Sequence, residues 1–199
     1  MTTIPPEHQE LIHRVLGANY LELSLAKLRV DEEPDAALTR VHVIVTERGI
    51  LVDLEGAGVG VVEAIFNAML NRYAVEYQSL KSLRLSGFSV EADMNTRNGG
   101  AGVDAVGTVT LDVVNSEGRR FHFTDASRSV TASIARAVVT VAQYFLNAER
   151  AFITLYNARK DAVERGRPDL IARYTAELAE VVECTSYADV IENFKKELR

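Results

Sequence analysis

Apolar residues recur along the chain with two periods, and the switch between them predicts its elements. Leu11, Ile12, Val15 and Leu16 fall at helical spacing behind Pro6, with Gly17 as a stop, which predicts a short helix over residues 6–17. Over residues 19–30 the period drops to two. There Leu21, Leu23 and Leu25 alternate with Glu22, Ser24 and Ala26, predicting a strand. The polar run Asp31-Glu32-Glu33-Pro34-Asp35 predicts a connector. Residues 39–46 are rich in β-branched side chains, and Glu47-Arg48-Gly49 predicts a turn into a partner strand at 50–55. Beyond Gly56-Ala57-Gly58-Val59-Gly60, Val61, Ile65, Ala68, Met69 and Arg72 share one side of a predicted helix. The first unit reads βββα.

The same order recurs. Residues 80–91 carry Leu83, Leu85 and Val90 in a strand with a bend or bulge at Gly87, and a Gly- and Asn-rich loop follows at 95–102. Val109, Leu111 and Val113 alternate through 108–114, and Asn115-Ser116-Glu117-Gly118 turns into a strand at 119–124. Ser127 and Ser129 are candidate N-caps for a long helix carrying Val130, Ile134, Ala137, Val138, Val141 and Phe145. One constant shift superposes Gly49 on Gly118, Val61 on Val130, Ile65 on Ile134 and Ala68 on Ala137. A lone βββα unit has one apolar sheet face and too small a core, so two units are expected to pack together. Past Asn147 the helical pattern continues until Arg165-Gly166-Arg167-Pro168 breaks it. A helix over 169–182 and another from 187 onward follow, with apolar faces expected to rest on the domain, a second copy or another protein.

The expected fold class is therefore α+β, with two pseudo-repeated βββα units, six strands, two main helices, an N-terminal helix and a helical C-terminal extension. The expected division is an N-terminal helix at 1–18, a two-unit domain at 19–148 (units 19–75 and 76–148) and the extension at 149–199.

Composition narrows the partners. The 199 residues are 47% hydrophobic and 25% charged, with a formal charge of -6, so no broad cationic field is available for nucleic acid or an anionic membrane surface. No segment approaches the ~18 uninterrupted apolar residues of a membrane helix, and no secretory signal opens the chain. The single Cys184 can form neither an intrachain disulfide nor a thiolate metal cage, which suggests a reducing cytoplasm.

Candidate chemistry is sparse. The stretch Gly56-Ala57-Gly58-Val59-Gly60 between strand and helix admits two readings. Its backbone amides, with the helix dipole, suit a carboxylate; equally, its glycines suit close packing of helix on sheet. It lacks the Gly-Lys-Ser/Thr of a phosphate-binding loop and departs from the dinucleotide fingerprint. His8, His13, His42 and His122 are scattered, so no metal is expected, and His42 and His122 read as half-exposed strand residues. Ser127, Ser129 and Ser133 lack a nucleophile elbow and read as caps or small packing residues; Cys184 reads as a small buried hydrophobe. Arg119, Arg120 and Arg128 read as edge charges that resist pairing with another strand. No cofactor is expected.

At these residues the chain resembles the regulatory (allosteric and dimerisation) domain of 2-isopropylmalate synthase and citramalate synthase. Tyr20-Leu21-Glu22-Leu23-Ser24-Leu25 is similar to that family's first strand, and Gly56 to Ala64 to its Gly-x-Gly-x-Gly-Pro-Val-Asp-Ala helix opening. Ser129-Val130-Thr131-Ala132-Ser133 and Phe145-Leu146-Asn147 resemble the start and end of its second helix. Val59 and Val61 stand where the family carries a polar residue and a proline, and Arg128-Ser129 where it carries an acid. The resemblance implies a homodimer that senses a pathway end product, leucine or isoleucine, with Gly56, Gly58, Gly60, Val61, Ser127 and Ser129 at the ligand. It also implies a separately encoded enzyme as target, since a catalytic barrel of ~250 residues does not fit in this chain. Two other functions stand beside this one: a dimerising scaffold that has lost ligand binding, and an enzyme with an unrecognised site.

Overall fold

The computed structural model describes residues 6–92 and 105–185. The loop expected at 95–102, the helix expected from 187 onward and the Cys184 side chain lie outside the described residues. Helix α1 (Pro6–Leu16) buries Leu11, Ile12 and Leu16, the stripe its spacing predicts. A single 3-10 turn over Gly17–Asn19 leads to strand β1 (Leu23–Glu33). β1 starts later and runs further than the alternation predicts. Asp31, Glu32 and Glu33 pair with Arg40, Thr39 and Leu38, so the acidic run expected as a connector is the strand's end. Strand β2 (Leu38–Glu47) supplies the ladder there. An Arg40–Glu33 ion pair adds a side-chain link, and the turn shrinks to a 3-10 segment at Pro34–Ala36.

Strand β3 (Ile50–Gly58) completes a sheet in the order β1-β2-β3, and helix α2 (Val61–Tyr73) covers its inner face. A 3-10 turn at Gln78–Ser82 leads into the second sheet, β4 (Arg84–Ala92), β5 (Gly107–Val114) and β6 (Arg120–Ser127) in the order β4-β5-β6. Both sheets are antiparallel throughout. The register of β4 slips between Leu85 and Gly87, where the sequence places a bulge, and β1 slips at the matching point between Leu25 and Lys27. The hairpin glycines Gly49 (φ +82°) and Gly118 (φ +78°) hold left-handed turns that a side chain would strain.

Helix α3 (Val130–Glu164) is 35 residues long and continuous through Asn147. It ends at Gly166 (φ +62°), where Arg167 N donates to Ala162 O at 2.9 Å and Gly166 N to Val163 O at 3.1 Å, a left-handed cap. Pro168 then opens α4 (Pro168–Cys184). Helix α2 lies on β2 and β3, α3 lies on β5 and β6, and the two helices pack on each other between the sheets. One core results. It joins Val41, Val43, Val45 and Leu54 of the first sheet, Ile65 and Met69 of α2, Val138 and Phe145 of α3, and Val109, Leu111, Phe121 and Phe123 of the second sheet. Full burial of each aliphatic side chain contributes about 1.5–3 kcal/mol.

The middle of α3 ties the parts together with buried polar groups. Asn147 Oδ1 accepts from Leu21 N at 2.8 Å and its Nδ2 donates to Leu21 O at 2.9 Å, pinning the chain as it enters β1. Glu149, only 2% exposed, accepts from the Ser79 backbone at 3.0 Å and from its hydroxyl at 2.5 Å, anchoring the link between units. Helix α4 packs on α3 and α1, with Arg119 Nη1 3.1 Å from Glu183 and Asn115 Nδ2 donating to Thr185 O at 3.0 Å. Of the three surfaces expected for the extension, α4 rests on its own domain.

Candidate functional site

The glycine stretch is not a loop. β3 carries on through Gly56 and Gly58, which pair with Val41 and Thr39 and so face inward. A Cβ on Gly56 would lie 2.6 Å from Ala68 N and would also run into the Ala64 carbonyl, and one on Gly58 would lie 2.8 Å from Ala64 N. Their bare Cα atoms let the backbone of α2 come down onto the strand. Of the two readings of this stretch, the structure shows close helix-on-sheet packing at Gly56 and Gly58. Replacing Gly58 by valine would therefore disturb the fold itself.

Gly60 is the N-cap of α2, with open space where a Cβ would stand. One turn in, the Glu63 carboxylate reaches back and accepts from Val59 N at 2.8 Å. An anion at the positive end of a helix is stabilising, and here the chain provides its own. Asn67 Nδ2 donates to Ala57 O at 2.8 Å, fastening the same end of the strand.

The constant shift puts Asp125, Ser127 and Ser129 where the first unit has Gly56, Gly58 and Gly60. Ser129 caps α3, its hydroxyl accepting from Ala132 N at 3.3 Å. Ser127 does not cap the helix. It ends β6, with its hydroxyl 2.8 Å from Ser133 Oγ and donating to Ser129 O at 3.0 Å. Arg136 holds Asp125 with two nitrogens, Nε at 3.0 Å and Nη2 at 2.7 Å, and reaches Ser133 Oγ at 3.2 Å. Hydrogen bonds from Arg136 keep the Asp125 carboxyl below the ordinary carboxylate range, against a smaller opposing effect of burial.

Between the starts of α2 and α3 lies a cavity of about 300 Å³ lined by Val30, Glu32, Val61 and Thr131. Of the six residues singled out in the sequence, Val61 lines it, and Gly60 and Ser129 are the caps of the two helices that flank it. Gly56 and Gly58 face the body of α2, and Ser127 is turned into the network around Ser133. Val30, Glu32 and Thr131 escaped sequence reasoning, as did the Asp125–Arg136 pair. Applied to single positions, the constant shift would have exposed Asp125, because it sets that carboxylate opposite Gly56, whereas it sets Arg136 opposite the polar Asn67.

A wider depression of about 430 Å³ lies on the outer face of the first sheet, lined by Arg29, Asp31, Arg40, His42, Glu55 and Ala57 among others. His42 Nε2 is 2.5 Å from Asp53, and on the other sheet His122 Nδ1 is 2.5 Å from Asp112. Both histidines are partly exposed strand residues, as their sequence context predicts. Among the described residues no group of three or more His, Cys, Asp or Glu side chains is placed to hold a metal ion, and no helix is long and apolar enough to cross a membrane.

Paired βββα units with their two helices packed between two sheets define the class of the fold, a two-unit α+β domain. The model of the LeuA allosteric (dimerisation) domain family matches residues 5–146, and the chain belongs to that family. The second half of α3 and all of α4 fall outside the match. A search of curated proteins returns no match.

Proposed function

We propose that this chain is a self-associating regulatory domain that binds a small amino acid of the branched-chain class, leucine or isoleucine foremost, and controls a separately encoded enzyme in the cytoplasm. The family supports the regulatory and dimerising parts of this reading. The cavity between the helix starts carries the ligand part. Val30 and Val61 suit a branched aliphatic side chain, the Glu32 carboxylate suits an ammonium group, and the two helix starts suit a carboxylate. Gly60 and Ser129 shape that opening as caps. Gly56, Gly58 and Ser127 serve it indirectly, by setting how deep each helix sits on its sheet.

The test is calorimetric titration with leucine, isoleucine and valine, checked by thermal shift. At ~100 times its dissociation constant a ligand of the native state adds about 2.7 kcal/mol of stability. Val61→Phe, which fills the cavity, is expected to abolish the heat and leave the unfolding temperature of the free protein unchanged. Heat that survives in Val61→Phe would move the ligand elsewhere.

A second reading has its own observation. Ser129 already satisfies the Ala132 amide at the start of α3, and the Glu63 carboxylate, bonded to the Val59 amide, sets an anion of the chain's own beside the start of α2. This favours a dimerising scaffold without ligand. No heat with any of the three amino acids would decide for it.

A further inference from the structure

We infer that the outer face of the first sheet binds a basic α-amino acid of the lysine and ornithine class, at a site separate from the cavity between the helix starts. Two cross-strand rows build it: Arg29, His42 and Glu55 in one, and Asp31, Arg40 and Ala57 in the next. The two side chains of the central strand lean apart. Arg40 pairs with Glu33, one row beyond its own, and His42 Nε2 is 2.5 Å from Asp53, one row the other way. On β3 the gap meets only the Ala57 methyl and the bare Gly56. The depression of about 430 Å³ is what these side chains leave between them, and its size is that of a small-molecule site.

The charges around it select the ligand. Arg40 and His42 are engaged by Glu33 and Asp53, whereas the side chains of Arg29, Asp31 and Glu55 make no ion pair or hydrogen bond among the described residues. Two carboxylates and one guanidinium are left open. A basic amino acid carries the complement, two cationic groups and one carboxylate. Arg29 and Asp31 stand two residues apart on the same face of β1, where they meet the neighbouring carboxylate and ammonium of the α-carbon. Glu55 lies across β2, with β1 and β3 about 10 Å apart. Such a span calls for a side-chain cation, whose methylenes cross the lining at Val41 and Ala57. Leucine has no group to offer Glu55.

Two further observations agree. The formal charge of -6 draws cations to the surface. The matching rows of the second sheet hold Ser89, Thr110 and Thr124, and Glu91, Thr108 and Ala126, so the charge set belongs to the first unit and is not required by the fold.

The experiment is calorimetric titration of the full chain with lysine and ornithine, with leucine and Nα-acetyl-lysine amide as comparison ligands. The variants are Arg29→Gln, Asp31→Asn and Glu55→Gln, with Glu91→Gln as the control at the matching place on the second sheet. All four positions are exposed, and circular dichroism checks that each variant is folded. Saturable binding of lysine or ornithine is expected, weakened about 10-fold by each first-sheet variant and unchanged by Glu91→Gln and by Val61→Phe. No saturable heat with either up to roughly 10 mM overturns the inference. An equal loss in Glu91→Gln would reduce it to general attraction of a cation to an acidic protein, which overturns the site. Capped lysine binding as tightly as the free amino acid would mean that Arg29 and Asp31 read no α-carboxylate or α-ammonium, which overturns the ligand class in favour of a lysine side chain on another protein. Binding lost in Val61→Phe but kept in Glu55→Gln would place the ligand between the helices and overturn the location.

Discussion

The two βββα units share a frame and differ in how helix meets sheet. In the first, Gly56 and Gly58 let the backbone of α2 approach until no Cβ would fit. In the second, the same positions are Asp125 and Ser127, and α3 is joined to β6 through Arg136 and Ser133. Element order and bulge position survive in both units, while the contact between layers is built once from bare backbone and once from hydrogen bonds. Strand register and apolar spacing therefore define the unit, and the helix–sheet contact is free to vary. Gly56→Val is the change that breaks this comparison hardest. A branched side chain against Ala64 and Ala68 is expected to cost about 3 kcal/mol, read from the urea midpoint at unchanged m-value. Asp125→Val, at the matching place where a side chain already stands, is expected to cost about 1 kcal/mol. Equal costs would mean that close approach is not what separates the units.

Helix length is the second difference. α2 stops at Tyr73, whereas α3 continues, and Asn147 lies in the part that has no helical counterpart. Its side chain pairs with both backbone groups of Leu21. Asn147→Leu keeps the branching of the side chain and removes the pairing, leaving a buried N–H and C=O unsatisfied at a cost of about 2 kcal/mol. Thermal unfolding gives the cost, and faster hydrogen exchange at the Leu21 amide would locate it. An unchanged Leu21 amide would show that α3 holds β1 by apolar packing alone.

The hairpin tips differ as well. The first turns tightly at Arg48-Gly49 and leaves Ile50 69% and Leu51 66% exposed. The second spans residues 115–119 around Asn115, whose Oδ1 accepts from Glu117 N at 3.1 Å and Arg119 N at 2.9 Å while its Nδ2 holds the end of α4. Asn115→Ala is expected to cost about 1.5 kcal/mol. Its mark would be lost exchange protection in the last turn of α4, with α2 and the first hairpin unaffected. Protection unchanged in α4 would assign its docking to Arg119 and the apolar contacts instead.

The βββα order, the Gly87 bulge, the long α3 and the cap at Ser129 were legible because each depends on local periodicity or on one side chain. Three features were not, and each turns on a distant partner. Asp31-Glu32-Glu33 looks like a loop because acidic residues suit loops, yet an edge strand is equally free to carry charge where β2 supplies the ladder. Gly56 and Gly58 carry the same letter whether they open a loop or admit a helix. The deciding signal lay in Ala64 and Ala68, small residues one turn apart on the facing side of α2. The cavity between the helix starts depends on where Val30 and Thr131 meet, which no local pattern records.

The smallest expected effect isolates the polar half of the comparison. Asp125 is held below its ordinary titration range chiefly by Arg136. A carboxyl lowered by folding stabilises the fold above its unfolded value of about 3.9, and that contribution is lost as pH falls through the lowered native value. Asp125→Asn should therefore cost most at neutral pH and nothing once the wild-type carboxyl is protonated, so the two stability curves converge below about pH 4. The Arg136 side chain is 39% exposed, so solvent screens the pair and a double-mutant cycle with Arg136→Ala should return about 0.5–1 kcal/mol. The first unit has Gly56 at this position, so the converging difference belongs to the second unit alone. Curves that stay parallel across this range would mean that hydrogen-bond shape, rather than charge, holds α3 to β6.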